Sequence, residues 1–150
     1  MPFTDPCDGS IAQLTNAARA IYARMQLGEI AFYWLGFNVG RYGYLDINPV
    51  KVAVIDPALT ALVDTIYPTA PTLKSFEILE KPNEKAISLV CRLATSEANY
   101  GLGELGIWAK INWSSVPAEI DTDVLMAVAH VPLQSKNHRH TYVHRVIIQF

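Results

Sequence analysis

Charge is scarce in this 150-residue chain. Asp, Glu, Lys and Arg make up 17% of it, against about 25% in an ordinary soluble domain. Apolar residues reach 51%. A free monomer normally coats itself in charge, so a chain this apolar is expected to bury part of its surface against a partner. A basic tract is also missing, and the net charge is −2. Phosphate recognition needs clustered Lys and Arg, which argues against a nucleic-acid partner; only residues 136–145 are locally basic. No apolar run is long enough to cross a bilayer, the longest being 30–37, so no membrane partner is expected. Residues 1–10 carry two Asp, two Pro and no apolar stretch, unlike a secretory leader. Cysteine is limited to Cys7 and Cys91. They lack CxxC spacing, and two thiols alone do not close a zinc site. Free buried thiols or a disulfide both remain open.

What is present fits one domain, which at this length buries roughly 70% of its extended-chain surface. Residues 1–9 read as an irregular arm broken by Pro2, Pro6 and Gly9, and residues 10–150 as the domain itself. Ile11, Leu14, Ala18, Ile21, Tyr22 and Met25 recur at spacings of three and four, predicting an N-terminal amphipathic helix. Ser10 or Thr15 would cap its start and Gly28 its end. The aromatic-rich stretch 30–39 predicts a strand, with Gly36 marking a bulge. Val50, Val52 and Val54 alternate as a short strand. Asp56-Pro57 then predicts a second, short helix, an acidic cap followed by proline at the first helical position. Residues 73–80 and 85–94 flank the turn-like Lys81-Pro82-Asn83-Glu84 as a hairpin, with Ile87, Leu89, Cys91 and Leu93 facing inward. Leu105, Ile107, Ala109 and Ile111 alternate in the next strand, and residues 123–131 and 141–150 supply the last two. The expected class is α+β, two helices packed on an antiparallel sheet or sandwich.

No catalytic residues are readable. Ser114-Ser115 has no nucleophile elbow around it. Cys91 sits mid-strand, without the electropositive setting of a reactive thiolate. Glu77, Glu80 and Glu84 straddle a turn, and Asp121 and Asp123 flank a strand start, as solvated carboxylates do. Gly101-Leu-Gly-Glu-Leu-Gly106 has the bare GxGxxG spacing. A dinucleotide site needs a helix after it, whereas Ile107-Trp108-Ala109-Lys110-Ile111 alternates like a strand. No cofactor is therefore expected. His138 and His140 form an HxH pair whose rings share one strand face, with His144 on the same face by parity. They are the candidate metal ligands, although two imidazoles do not complete a site. Phe32, Tyr33, Trp34 and Phe37, with Tyr42 and Tyr44, form either core or a sugar-stacking platform.

Several short motifs occur in a telling order: Leu14-Thr15-Asn16-Ala17-Ala18, then Phe37-Asn-Val-Gly-Arg-Tyr-Gly43, then Asp56-Pro57-Ala-Leu-Thr60-Ala61-Leu62-Val63 with Ile66-Tyr67. Gly103-Glu104-Leu105-Gly106-Ile107-Trp108 follows, and Leu125-Met-Ala127-Val-Ala-His-Val-Pro132 closes the series. Together they resemble the N-terminal domain of phage tail-collar fibre proteins, across residues 14–150. Ala18 stands where that family has glycine, and the chain stops where a fibre shaft would begin. The resemblance implies a non-enzymatic virion protein of the tail, made in the host cytoplasm. Its expected partners are baseplate and tail-fibre proteins, and its expected state is a homo-oligomer, most readily a trimer. Three His138–His140 pairs around a threefold axis would supply six nitrogens to a metal. The rival reading is a carbohydrate- or metal-binding module at a fibre tip.

Overall fold

The computed structural model describes residues 10–41, 44–45, 51–52, 55–63, 65–67, 73–83, 85–94, 101–135 and 141–149. In chain order they form β1 (Ser10–Ile11), β2 (Gln13–Leu14), α1 (Asn16–Gln26), β3 (Ile30–Gly40), β4 (Tyr44–Leu45) and β5 (Lys51–Val52). Then come β6 (Thr65–Tyr67), β7 (Ile78–Asn83), β8 (Ala86–Leu93), β9 (Gly101–Ser114), β10 (Asp123–Ser135) and β11 (Tyr142–Gln149). A 3-10 turn, Pro117–Glu119, lies between β9 and β10.

Two sheets carry the fold. One is five-stranded, in the order β2-β10-β9-β3-β6, and the other four-stranded, in the order β1-β11-β8-β7. The long pairings are antiparallel, and β1 joins β11 in parallel. Period-two alternation puts one row of each strand into the space between the sheets. Phe37, Val39, Leu105, Ile107, Ala127 and Ala129 come from the five-stranded sheet, and Leu89, Cys91, Leu93, Tyr142, Val146 and Ile148 from the four-stranded one. The expected inward row of β8 and the expected buried face of β9 are both present: Leu105 and Ile107 are fully buried and Ile111 nearly so. Beyond the four-stranded sheet, α1 continues the second layer, with Ala18 and Ile21 packed on Ile30, Ala109, Ile111 and Met126.

The α+β class with two helices is not what forms. The chain is mostly β, with α1 as its one α-helix among the described residues. The predicted amphipathic helix, with a stripe running from Ile11 to Met25, is not realised either. Ile11 and Leu14 belong to strands, Met25 is exposed, and within α1 only Ala18 and Ile21 are buried. Tertiary pairing decides this. The Ala12 amide donates to the Ile147 carbonyl (2.9 Å), and the Thr15 amide to Met126 (3.0 Å). The chain is therefore held extended up to the cap. Thr15 is that cap: its hydroxyl accepts from the Ala18 amide (3.1 Å) and donates to the Leu125 carbonyl (2.7 Å). Gly28 ends the helix at φ +70°, a conformation that costs glycine little. Thr15→Val keeps the shape and deletes both bonds. We expect a loss of about 1–2 kcal/mol in urea unfolding, and an unmoved midpoint would show that the cap contributes nothing.

The second helix is also absent: residues 57–63 are turns and bends. The Asp56 carboxylate bonds the Ala58 amide (2.9 Å) in a local turn, and the Pro57 carbonyl accepts the Asn16 amide at the start of α1 (2.7 Å). A helix would need that carbonyl for Ala61. The segment instead lays Leu62 on Leu125 and Val128, with Ile55, Leu59 and Trp108 beside them, covering the outer face of the five-stranded sheet. Gly106 makes the close approach possible, because a Cβ there would sit 2.6 Å from Asn38 Oδ1 and 3.0 Å from Leu62 Cδ2. The GxGxxG spacing is thus part of β9, as the alternation after it indicated. The predicted hairpin forms with a tighter turn: β7 runs on through Asn83, which pairs with Ala86.

Candidate binding cleft

Where the second layer passes from helix to sheet, the two do not meet. The gap is a cleft of about 700 Å³ over β3. Tyr22, Met25 and Gln26 of α1 form one wall, Phe32 and Trp34 of β3 the floor, and Lys81 and Ile87 of the β7–β8 hairpin the other wall. Leu14 and Arg19 complete it. Alternation along β3 turns Phe32 and Trp34 toward the cleft and leaves Tyr33 exposed on the opposite face. The rings are fixed edge to face, Tyr22 on Phe32 at 5.7 Å and Phe32 on Trp34 at 5.4 Å, an arrangement aromatic quadrupoles favour. Burial pushes the Tyr22 phenol well above its ordinary range, so it stays neutral. Among the described residues the lining contains two cations, Arg19 and Lys81, and no carboxylate. Neither cation has an ion-pair partner among the described residues.

The back of the cleft is held by a latch. Arg24, in the last turn of α1, donates to Glu119 Oε2 (2.7 Å) and to Ser114 Oγ (3.1 Å), and Ser114 donates in turn to Glu119 Oε1 (2.9 Å). The Glu119 carboxyl is lowered by its bonds from Arg24 and Ser114. This bond set ties the helix end to the β9–β10 connection, so Ser114 is a structural hydroxyl.

On the floor, Gly36 sits at a register slip between Trp34 and Gly36, the bulge its glycine signalled. Next to it Phe37 and Lys74 exchange backbone bonds of 2.8 and 3.0 Å. A Cβ on Gly36 would meet the Lys74 carbonyl oxygen at 2.5 Å. Backbone cannot swing aside as a side-chain tip can, so Gly36→Ala should destabilise by about 1–3 kcal/mol. Full stability in the alanine variant would show that the crossing segment yields.

His138 and His140, the proposed metal ligands, lie outside the described residues, as do Cys7, Tyr42 and Glu84. His144 is buried in β11, stacked on Tyr142 at 6.0 Å, and burial lowers its pKa to about 4. No group of three His, Cys, Asp or Glu side chains fit for a metal occurs among the described residues. Cys91 is a free, buried thiol, and desolvation pushes its pKa up, away from reactivity. Glu77 pairs with Arg92 (2.8 Å) and Asp123 with Lys110 (2.9 Å). Glu104 is fully buried, in register opposite His130. Of the aromatic stretch, Phe37 is core, stacked on Phe76 at 6.0 Å, while Phe32 and Trp34 line the cleft.

Sequence reading does not single out Arg19, Gln26 or Lys81. Lys81 is 55 or more positions from the other two, and the one available signal is the lack of an acidic neighbour at helical spacing from Arg19. No helix among the described residues is long and apolar enough to cross a membrane. No protein-family model, curated protein or solved structure matches the chain.

Proposed function

We propose that this chain is a structural protein of a phage tail that bridges the receptor-binding fibre and the baseplate, acting through its surfaces and without catalysis. The motif order from residue 14 to residue 132 suggests the setting. The observation that carries the reading is the outer face of the four-stranded sheet. Outward positions there hold Ile11, Ile78 and Val143, 61%, 40% and 45% exposed, around the better-covered Val90 and Ile147. The cations on this face are held by neighbours: Arg145 bonds Ser88 (2.9 Å) and Arg92 bonds Glu77. An apolar sheet face whose cations are engaged by neighbours suits a protein–protein interface. In a closed homo-oligomer, most simply a trimer, such faces are buried symmetrically.

Two measurements test this. Mass spectrometry of purified tails should detect the chain at a fixed ratio to baseplate and fibre proteins, and its absence from intact particles would refute the assignment. Light scattering should show an oligomer, alone or with an adjoining tail protein. A monomer that stays single even with those proteins added would remove the assembly role.

A further inference from the structure

Among the described residues, the sheet edge beside the cleft is open. β3 pairs with β9 along its whole length, from Ile30 opposite Ser114 to Gly40 opposite Glu104. On its other side β6 reaches only Val39 and Gly40, and Lys74 bridges only Phe37. Residues 30–35 therefore have no strand on that side among the described residues. An unpaired strand edge is a template for another strand, and proteins that do not use such an edge blunt it with charge or proline. The two sheets differ in this respect. The edge strand β7 contains Glu80, Lys81 and Pro82. The open part of β3 reads Ile-Ala-Phe-Tyr-Trp-Leu, without charge or proline.

The open edge and the cleft share Phe32 and Trp34. A strand laid against residues 30–35 would turn every second side chain toward the cleft, onto Tyr22, Phe32, Trp34 and Ile87. The same row of side chains would meet Arg19 and Lys81, which have no ion-pair partner among the described residues. We infer that this edge is a docking site for an extended, acidic and apolar peptide segment of a second protein, added as a strand to β3. Main-chain bonds to β3 would provide affinity, while the rings and the two cations would select the side chains. The inference rests on the adaptor reading for its context, since it names where and by what chemistry a tail partner would engage.

The test uses the whole chain and a short synthetic peptide alternating valine and glutamate. It should bind, and it should slow amide hydrogen exchange at residues 30–35. A lysine-for-glutamate version should bind about tenfold more weakly, the scale of two partly exposed ion pairs turned repulsive. The paired substitution R19E and K81E, at exposed positions, should reverse that preference and leave the unfolding midpoint close to that of the unsubstituted chain. An acidic peptide N-methylated at alternate amides, in both phases, should not bind. Equal binding of the methylated peptides would show a cleft ligand and no added strand. Retention of an acidic oligosaccharide in place of the peptide would reassign the rings to sugar stacking. Protection of residues 30–35 in the chain alone, rising with its concentration, would give the edge to a second copy. Each of these three results overturns the inference, as does failure of the acidic peptide to bind. The adaptor reading is judged separately: peptide binding by a chain absent from tails would refute the reading, whereas a tail protein that ignores the peptide would refute only the docking site.

Discussion

Ile107→Ala should lower stability by about 4 kcal/mol, within the 2–5 kcal/mol typical of large buried aliphatics. Ile107 is fully buried and lies mid-row in the five-stranded sheet, paired with Phe37 on one side and Ala127 on the other. Three methylene-sized groups are lost, about 2.4 kcal/mol in transfer free energy alone. The remainder comes from the cavity. Ala127 has no atoms with which to refill it, and Phe37 is held against Phe76, so the site cannot collapse. With roughly 5–15 kcal/mol available to a domain, the variant should unfold at a much lower denaturant midpoint. Ile11→Ala, at a position 61% exposed, should stay within about 0.5 kcal/mol. Equal midpoints for the two variants would put Ile107 on the wrong face of its strand.

The second large effect is set by pH. His144 is buried beside Tyr142, and its pKa falls to about 4 because burial penalises the imidazolium. In the unfolded chain it returns to about 6.5. Between those values the unfolded state binds more protons than the native one, so stability rises with pH across this window and is level above it. Acidification from neutrality to below pH 4 should therefore remove about 3 kcal/mol through this one residue. Glu119, whose carboxyl is lowered by Arg24, adds an acid-labile contribution of the same sign, but below the ordinary carboxylate range. Between pH 5 and 6.5, above that range, His144 supplies the contribution that rises with pH. Denaturation at a series of pH values should show it, and His144→Leu should flatten it. An unchanged slope in the leucine variant would place the proton uptake on another group.

His144 also shows where sequence reasoning reaches its limit. Parity assigns it a strand face, but parity does not say whether that face is core or solvent. The expected face was shared with His138 and His140, which lie outside the described residues. In the fold its row continues into Val146 and Ile148 and faces Leu93, Cys91 and Leu89 between the sheets. A period-two pattern that includes a histidine reads as half polar, and only the packing of the second sheet decides the sign.

The strands were legible because their causes are local: β-branched and aromatic residues alternating in β3, β8, β9 and β11, a glycine at the bulge, and a glycine at the positive φ that ends α1. The inward rows of β8 and β9 could be read for the same reason. The helices were misjudged because spacings of three and four are a weak guide when backbone partners lie elsewhere. Residues 10–14 give their amides to β10 and β11, more than a hundred positions away, and the Pro57 carbonyl is taken by Asn16. The cleft was out of reach for a similar reason. Phe32 and Trp34 stood out as a possible platform, but Arg19 and Lys81 come together only because the helix and the β7–β8 hairpin share the second layer of one sandwich. From the sequence alone came a chain poor in charge, rich in strands, with the inward rows of β8 and β9 assigned by alternation. Tertiary pairing alone decided which backbone groups were free to form a helix, and which lone side chains, distant in sequence, converge on the open edge of β3.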